Sequence, residues 1–381
     1  MLRLVRLTIG NSISRERADV VAGRKRIPNA SRRMTGLITA FARLVGRART
    51  PQEVTPIGFV PRTSGFSEVN KRDLDILIRH ELGRGDLQGL TVAVLDDGKI
   101  VWSEGYGVAN SVSRRAMTVD TRLEAASLGK PITTYGVLRL VEAGKLELRR
   151  PLSSYLRKQF VKSDQRQDQI TTWNVLTHTS GLSNNLLESD HEVAFTPGSQ
   201  FSYSGVGFMY LQGVIEEVSG AAFNDFMTET IFTPLGMTRS SYFRAPRTTA
   251  RSRGHAHLLG FTLPMPFVPG AQPNAANLLC STAPDLAKFV AELMNPTLVS
   301  RALVEQMLTP QVRVDRDSSW GLGIGIFGHA GTTCFWHWGD NLDFQSYLIG
   351  CPQEKIGVVV MTNSSRGLKP ARKIAVRALE A

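Results

Sequence analysis

A hydroxyl and an amine lie three positions apart in this sequence, at Ser127 and Lys130. Residues at that spacing share one face of a helix, so the lysine amine could accept the serine proton without a histidine. An apolar stripe at residues 137–141, with Pro131 in the first turn and Gly144 as a stop, predicts the helix. Its N-terminal N–H groups would favour an oxyanion beside Ser127. The spacing therefore predicts a nucleophile and its general base.

Ser-x-x-Lys is common by chance, and a helix-capping serine beside a solvated lysine is its ordinary structural explanation. Two later segments change the interpretation. Residues 201–207 read Phe-Ser-Tyr-Ser-Gly-Val-Gly after a Pro-Gly pair, and residues 335–341 read Phe-Trp-His-Trp-Gly-Asp-Asn in a strand-like stretch. A tyrosine and a histidine thus follow the serine and lysine along the chain.

With these segments the chain resembles the serine β-lactamase and penicillin-binding-protein superfamily. The resemblance is to its class C-like branch of family VIII-type esterases, D-aminopeptidases and D,D-carboxypeptidases, and it runs from about Ser67 to the C-terminus. It includes the helix-and-turn segment at residues 171–182 and a Ser-Thr-x-x-Asp-Leu helix start within residues 280–289. It implies an α+β, β-lactamase/transpeptidase-like fold.

The resemblance also implies roles for individual residues. Ser127 would attack a carbonyl carbon and become acylated, Lys130 would act as the base, and Tyr203 would relay protons to the leaving group. Backbone N–H groups of Ser127 and Asp340 would hold the oxyanion. Lys130 must be neutral for this role, so its pKa must fall from about 10.4 to about 7. Burial would lower it. His337, the fourth predicted catalytic residue, would push the pKa of Lys130 the same way when protonated.

Several positions depart from the family's substrate-binding pattern. His337 and Trp338 replace the lysine and threonine that grip a substrate carboxylate in related enzymes, and Gly205 replaces the asparagine of Tyr-x-Asn. Carboxylate binding should be weakened, which favours esters over β-lactams. Gly339 would let the strand backbone approach a substrate. Arg366 could supply a substitute cation, although a solvated surface arginine is the simpler explanation.

Hydrophobic patterning predicts the elements that must position these residues. Residues 70–82 predict an opening helix, and residues 90–95 and 100–106 alternate around Asp96-Asp97-Gly98, a tight hairpin signal. Further strands are predicted at 320–327, 334–338, 344–350 and 355–362, with a closing helix at 370–379. The predicted architecture is an antiparallel sheet flanked by helices, from residues 61–146 plus 310–381, with a mostly helical inserted subdomain at 147–309.

The first 60 residues form a basic N-terminal extension. They carry 12 Lys and Arg against three acidic residues, which accounts for +9 of the formal net charge of +12. No nucleic-acid partner is therefore expected for the catalytic body, although binding through the extension stays open. We interpret the extension as disordered or signal-like. Its removal is expected to leave fold and activity intact, because it lacks a periodic apolar pattern.

The compartment is less clearly marked. No stretch approaches the roughly 18 apolar residues of a transmembrane helix, so no spanning segment is expected. Residues 31–34, Ser-Arg-Arg-Met, faintly resemble a twin-arginine export signal, but arginines interrupt the apolar run that follows. A cytoplasmic location is favoured, with export as the alternative. Cys334 and Cys351 are expected to be neighbours on adjacent strands, as free thiols unless the protein is exported.

The sequence predicts a serine acyl hydrolase that works through an acyl-enzyme. Carboxylesterase activity on small esters leads D-aminopeptidase, D,D-peptidase and weak β-lactamase activity, so the substrate is a small-molecule ester, amide or β-lactam. No cofactor or metal is predicted, since the seven histidines and three cysteines show no ligand spacing. A catalytically silent ligand-binding or scaffold relative is the non-enzyme alternative. The oligomeric state is not predicted.

Overall fold

The computed structural model describes residues 50–56, 58–161, 164–186, 191–242, 251–258, 261–266, 272–329 and 331–380. In these residues an antiparallel sheet of nine strands forms the centre of the fold. The strands, including those of two small sheets, are β1 (Gly89–Asp96), β2 (Lys99–Asn110), β3 (Arg115–Ala116), β4 (Leu123–Ala126), β5 (His255–Leu258), β6 (Phe261–Pro264), β7 (Leu279–Ser281), β8 (Val312–Arg313), β9 (Ser318–Trp320), β10 (Gly325–His329), β11 (Thr332–Asp340), β12 (Gln345–Cys351) and β13 (Ile356–Thr362). The large sheet has the order β3-β2-β1-β13-β12-β11-β10-β9-β8, whereas β4 pairs with β7 and β5 with β6. Because β1 pairs with β13, both ends of the chain build the sheet, as predicted.

Helices lie on both faces of the sheet and elsewhere in the described residues. They are α1 (Pro51–Val54), α2 (Glu68–Gly83), α3 (Gly129–Glu142), α4 (Thr172–Leu176), α5 (Val206–Ser219), α6 (Phe223–Met227), α7 (Ala283–Met294), α8 (Arg301–Leu308) and α9 (Leu368–Leu379). The predicted opening and closing helices are confirmed as α2 and α9. Short 3-10 turns lie at Leu152–Tyr155 and Gln165–Gln169, and a π-helical turn at Thr228–Phe232.

Alternation along the strands divides the core into two layers. On β1, Val92 and Val94 belong to a cluster with buried residues of α2 and α9, whereas Ala93 and Leu95 belong to a second cluster with buried residues of α3 and α7. Strand side chains point alternately to the two faces, so a sheet buried on both faces carries apolar residues throughout. The predicted sheet flanked by helices is confirmed.

The first hairpin follows from its turn chemistry. Asp97 and Gly98 have φ of +46° and +71°, and Asp96 pairs with Lys99. A two-residue turn with both central residues at positive φ matches the twist of antiparallel strands, and Asp-Gly adopts it readily. The predicted hairpin is confirmed.

The prediction of a single strand at 320–327 is wrong, because the chain forms two strands there. β9 ends at Trp320 and β10 begins at Gly325. At Gly321 a Cβ would lie 2.1 Å from the Met307 carbonyl, and Gly323 has φ of +67°. The close backbone approach and the left-handed residue interrupt the strand.

Cys334 and Cys351 are joined by a disulfide, with a Cα–Cα distance of 4.3 Å. They face each other on β11 and β12, next to the Phe335–Gly350 pair of the register. The prediction that they are neighbours on adjacent antiparallel strands is confirmed. The default expectation of two free thiols is not what the structure shows, because directly opposed strand positions bring the sulfurs within bonding reach.

The described structure begins before residue 61, where the sequence boundary was placed. Val54 and Phe59 are buried in the core, and Tyr347 Oη donates to the Val54 carbonyl. These contacts argue against the expectation that all of residues 1–60 can be removed without effect. The apolar side chains of this segment are too few to show a period in the sequence. Residues 1–49, including the export-like segment, lie outside the described residues.

The predicted helical subdomain contains α4 to α8 and also β5 to β7. Its boundaries at 147 and 309 stay a prediction. Among the described residues, none of the helices combines the length and the apolar character needed to cross a membrane.

Candidate active site

Ser127 lies in the turn between β4 and α3. Ala126, immediately before it, has φ of +51°, a left-handed conformation that residues with a Cβ seldom adopt. The Leu128 N–H donates to the Ala125 carbonyl at 3.1 Å, and α3 begins at Gly129. The tight turn therefore places the serine two residues before the helix, close to the predicted N-terminal position.

The serine and lysine side chains are in contact. Lys130 Nζ donates to Ser127 Oγ over 3.0 Å and to the Ala276 carbonyl over 2.6 Å. Ser127 Oγ lies 3.4 Å from the same carbonyl. When the lysine is neutral, the 3.0 Å contact allows the serine hydroxyl to donate to Nζ. The pair thus has the distance that direct proton transfer requires.

Burial sets the charge of Lys130. The side chain is 1% exposed, and desolvation lowers its pKa to about 7. An ammonium in a dry environment loses its hydration, so the neutral amine is favoured. A substantial fraction of Lys130 is therefore neutral, and able to accept a proton, near pH 7.

Tyr203 packs over this pair. Lys130 Nζ lies 4.9 Å from the centre of its ring, and the rings of His178 and Trp338 lie 4.3 and 4.9 Å away. The hydroxyl is buried and has no hydrogen-bond partner of good geometry within the described residues. Burial raises the pKa of Tyr203, against a lowering effect of the nearby Ser127 hydroxyl. The phenol therefore stays protonated and can donate.

His337 is a neutral imidazole. It is fully buried, and its Nδ1 lies 2.7 Å from the Trp338 carbonyl, so Nδ1 carries the proton and donates. Burial, with the charge of Lys130, lowers the pKa of His337 to about 3. The expectation that a protonated His337 helps to neutralise the lysine is wrong, because desolvation discharges the imidazole first.

Two predicted substrate-binding residues have structural roles. Trp338 is 3% exposed and stacks between Tyr203 and Trp336, so its ring belongs to the core and offers little surface to a substrate. At Gly339 a Cβ would lie 2.2 Å from the Ala125 carbonyl. The close approach of the strand that leads to Ser127 therefore requires a glycine here. The predicted role of Gly339 beside a substrate stays a prediction.

The absent amide of Tyr-x-Asn leaves no empty space at Gly205. A Cβ there would lie 2.7 Å from Leu186 Cδ2 and 3.0 Å from Asn184 Oδ1. Side chains of the preceding loop thus occupy the volume of an asparagine side chain. The role of Gly205 beside a substrate stays a prediction.

Asp340 lies at the end of β11. Pairing with β10 stops at Trp336, whereas pairing with β12 continues to Asp340. Gln345 Nε2 donates to the Asp340 carboxylate over 2.6 Å, and the negative charge of Asp340 helps to raise the pKa of Tyr203. The residue therefore lies near Tyr203, and its oxyanion role stays a prediction.

Arg366 is not brought into these contacts. Its guanidinium forms a 3.0 Å ion pair with Asp86, and its side chain is 53% exposed. This agrees with the simpler explanation of a surface arginine.

The sequence did not reveal two parts of the site. Ala276 contributes a carbonyl oxygen, which no side-chain pattern can announce. His178 lies in the 171–182 segment that carried the family resemblance, and its ring lies directly under Tyr203. The position of that histidine in the segment was the available signal.

Comparison with known proteins agrees with this geometry. The family model described as Beta-lactamase matches residues 74–381. The chain belongs to the β-lactamase family. Members of this family are serine hydrolases, and the match includes Ser127, Lys130, Tyr203 and His337 within its span. The predicted superfamily and α+β fold are confirmed.

The individual proteins that this chain resembles are distant from it in sequence. Protein flp of Staphylococcus aureus (strain NCTC 8325 / PS 47) is 23% identical over 320 residues, covering 77% of this chain and 63% of that protein. A solved octameric penicillin-binding protein homologue from Pyrococcus abyssi has a TM-score of 0.73 and 25% identity, covering 82% of this chain and 77% of that one. EstCE1, a hydrolase with promiscuous acyltransferase activity, has a TM-score of 0.73 and 18% identity, covering 82% and 98%. The chain spans about three fifths of the length of the curated relatives it matches.

Proposed function

We propose that this chain is a carboxylesterase that cleaves small esters through an acyl-enzyme on Ser127. The observation that carries the proposal is the 3.0 Å contact between Ser127 Oγ and a buried Lys130 whose pKa is about 7. A neutral amine in contact with a hydroxyl activates it as a nucleophile. The same contact argues against a catalytically silent relative.

The reaction follows from the positions of the groups. Ser127 Oγ attacks the ester carbonyl carbon while Lys130 Nζ takes its proton, and the oxyanion is assigned to the N–H groups of Ser127 and Asp340. Tyr203 passes the proton that Lys130 took from Ser127 to the leaving alkoxide as the carbon–oxygen bond breaks, so that both groups return to their starting protonation states. Water then gives a proton to Lys130 as its oxygen attacks the acyl carbon. The bond to Ser127 Oγ breaks as Oγ takes that proton back, which releases the acid.

Charge at the site supports an ester without a carboxylate next to the scissile bond. His337 is neutral and buried where related enzymes carry a lysine. Arg366 is paired with Asp86. A carboxylate in this place would lose hydration without gaining a positive charge from His337 or Arg366, which is costly.

Hydrolysis of a D-amino peptide or a β-lactam is the second candidate. It is supported by the 25% identity to the penicillin-binding protein homologue over 82% of this chain. Both reactions use the same acyl-enzyme chemistry, so the proposed residues keep their roles. The difference lies in the leaving group, an amine in place of an alkoxide.

A hydrolysis panel separates the candidates. Purified protein is assayed with p-nitrophenyl esters of graded chain length, D-amino acid anilides and nitrocefin, beside Ser127→Ala. We expect kcat/KM to be highest for a short ester and Ser127→Ala to be inactive. Lys130→Ala and Tyr203→Phe should each lose about 10²-fold or more, with non-additive effects. Activity that survives in Ser127→Ala would refute the nucleophile, and nitrocefin as the best substrate would refute the ester preference.

The compartment is also a proposal. The cytoplasmic location favoured by the sequence stays a prediction, and the Cys334–Cys351 disulfide supports export instead. Disulfides persist in oxidising compartments and are rare in the reducing cytosol.

A further inference from the structure

His178 is a buried residue with an unusual backbone. It is fully buried, and its φ is +54°, in the left-handed region. The surrounding turn holds it there: His178 N–H donates to the Val175 carbonyl at 3.1 Å, and Thr179 N–H donates to the Asn174 carbonyl at 2.8 Å. Such conformations persist only where neighbouring structure fixes them, and they concentrate at functional sites.

His178 forms hydrogen bonds with the residues immediately before and after Tyr203. The His178 carbonyl accepts the N–H of Ser202 at 2.7 Å, and its Nδ1 accepts the N–H of Ser204 at 3.1 Å. Its ring lies 4.3 Å from the Tyr203 ring, at an angle of 37°. His178 thus forms hydrogen bonds with the backbone on both sides of Tyr203, and its ring packs against the phenol ring.

The imidazole must be neutral for this contact. Since Nδ1 accepts a hydrogen bond, it carries no proton, and the ring proton is on Nε2. Burial, followed by the charges of Lys130 and His337, lowers the pKa of His178. The tautomer is opposite to that of His337, whose Nδ1 donates. His178 and His337 therefore have different roles.

We propose that His178 is a positioning residue, which directs the Tyr203 hydroxyl toward Ser127 and Lys130 through its two backbone hydrogen bonds and its ring contact. The role rests on the proposed function, because it acts only through the proton relay assigned to Tyr203. A residue without an acceptor at the Nδ1 position leaves the buried Ser204 N–H unpaired and releases the segment that carries the tyrosine.

Three substitutions test the acceptor. His178→Asn places an oxygen near the position of Nδ1, His178→Gln places it farther out, and His178→Leu has none. With p-nitrophenyl acetate we expect His178→Leu to lower kcat about 10-fold or more while KM changes less than about 3-fold. His178→Asn should recover more of kcat than His178→Gln. A kcat for His178→Leu equal to that of wild type overturns the proposal.

A double-substitution cycle tests the route through the tyrosine. If His178 acts by placing the Tyr203 hydroxyl, His178→Leu should cost less than about 2-fold once Tyr203→Phe has removed that hydroxyl. An equal loss in both backgrounds overturns the positioning role and leaves the hydrolase intact. A Tyr203→Phe variant with full activity overturns the relay and the positioning together. Activity in Ser127→Ala refutes the proposed function itself.

His255 provides the matched control. It is also fully buried and is hydrogen-bonded through both ring nitrogens, at Asn363 and Ser111. We expect His255→Leu to lower the melting temperature but to keep wild-type kcat per active site, counted by fluorophosphonate labelling. If kcat falls equally in His255→Leu, the loss in His178→Leu reflects general disturbance of the fold, and the proposal fails. If His178→Leu does not fold, the comparison of His178→Asn with His178→Gln carries the same test.

Discussion

At the scale of single residues, desolvation alone explains how a lysine can serve as a base here. Lys130 and His337 are both buried, and burial lowers the pKa of both, to about 7 and about 3. A histidine starts from a lower pKa, so it loses its proton first and adds no positive charge. Lys130 is therefore the group of this pair whose protonation changes near neutral pH.

This charge state predicts the pH dependence of catalysis. Because the base must be neutral, kcat/KM for an uncharged ester should rise with pH through about 7 and level off above it, and it should fall tenfold per pH unit on the acid side. Stopped-flow rates between pH 5 and 9 with p-nitrophenyl acetate measure the profile. Lys130→Arg should be inactive throughout. An activity that is flat from pH 5 to 9 would show that Lys130 is not the base.

Replacing His337 and Trp338 with Lys and Thr should damage the enzyme and not convert it. From the sequence alone, this swap is expected to shift the ratio of kcat/KM values toward β-lactams or terminal peptides. In the structure, Trp338 is 3% exposed against Tyr203, and a threonine there leaves a cavity that costs about 3–5 kcal/mol. A lysine at the fully buried position 337 adds a second amine near Lys130. We expect the melting temperature to fall by on the order of 10 °C and ester hydrolysis to fall with it.

Thermal unfolding and a nitrocefin assay check this swap. Trp338→Phe, which keeps an apolar ring, is the milder comparison. A stable double variant that hydrolyses nitrocefin faster than wild type would show that the original expectation was right.

At the scale of elements, β11 holds the site together. Its Gly339 lets the Ala125 carbonyl of β4 approach, and Ser346 Oγ on β12 donates to that carbonyl over 2.8 Å. Ser127 follows Ala125 by two residues, in the turn after β4. The serine is therefore positioned against the strand that also carries His337.

The disulfide should stabilise the β11–β12 pair. It closes a loop with a sequence separation of 17, for which restriction of the unfolded chain corresponds to about 3 kcal/mol. Reduction should therefore lower the urea midpoint of unfolding. In a Cys334→Ala/Cys351→Ala variant, reductant should have no effect, and the midpoint should match that of reduced wild type. If reduction left the urea midpoint of the wild-type protein unchanged, the disulfide would not contribute to stability as proposed.

At the scale of the whole molecule, residues 50–56 and 58–60 belong to the folded body. Val54 and Phe59 lie in the core cluster between the sheet and α9, and the Val54 carbonyl accepts the hydroxyl of Tyr347. Burying two such side chains contributes roughly 3–6 kcal/mol. We therefore expect deletion of residues 1–49 to leave the melting temperature within about 2 °C, and deletion of residues 1–60 to lower it by several times that amount. Differential scanning calorimetry of the two truncations, with Val54→Ala in the full chain, measures this, and equal stability of both truncations would contradict it.

The local sequence pattern was enough to predict most helices and strands in and around the sheet. The Asp-Gly turn required positive φ at two residues and so predicted the first hairpin. The strand predicted at 320–327 failed, since its interruption depends on the Met307 carbonyl, which lies in α8 and not in the strand sequence.

The sequence by itself determined the candidate catalytic residues, because Ser127, Lys130 and Tyr203 stand in short segments whose order along the chain is itself the signal. Only the tertiary structure decided their surroundings. Burial, which discharges His337 and brings the pKa of Lys130 to about 7, comes from packing among distant elements. Likewise, the Ala276 carbonyl reaches Lys130 from 146 residues away, and a backbone oxygen leaves no mark in side-chain sequence.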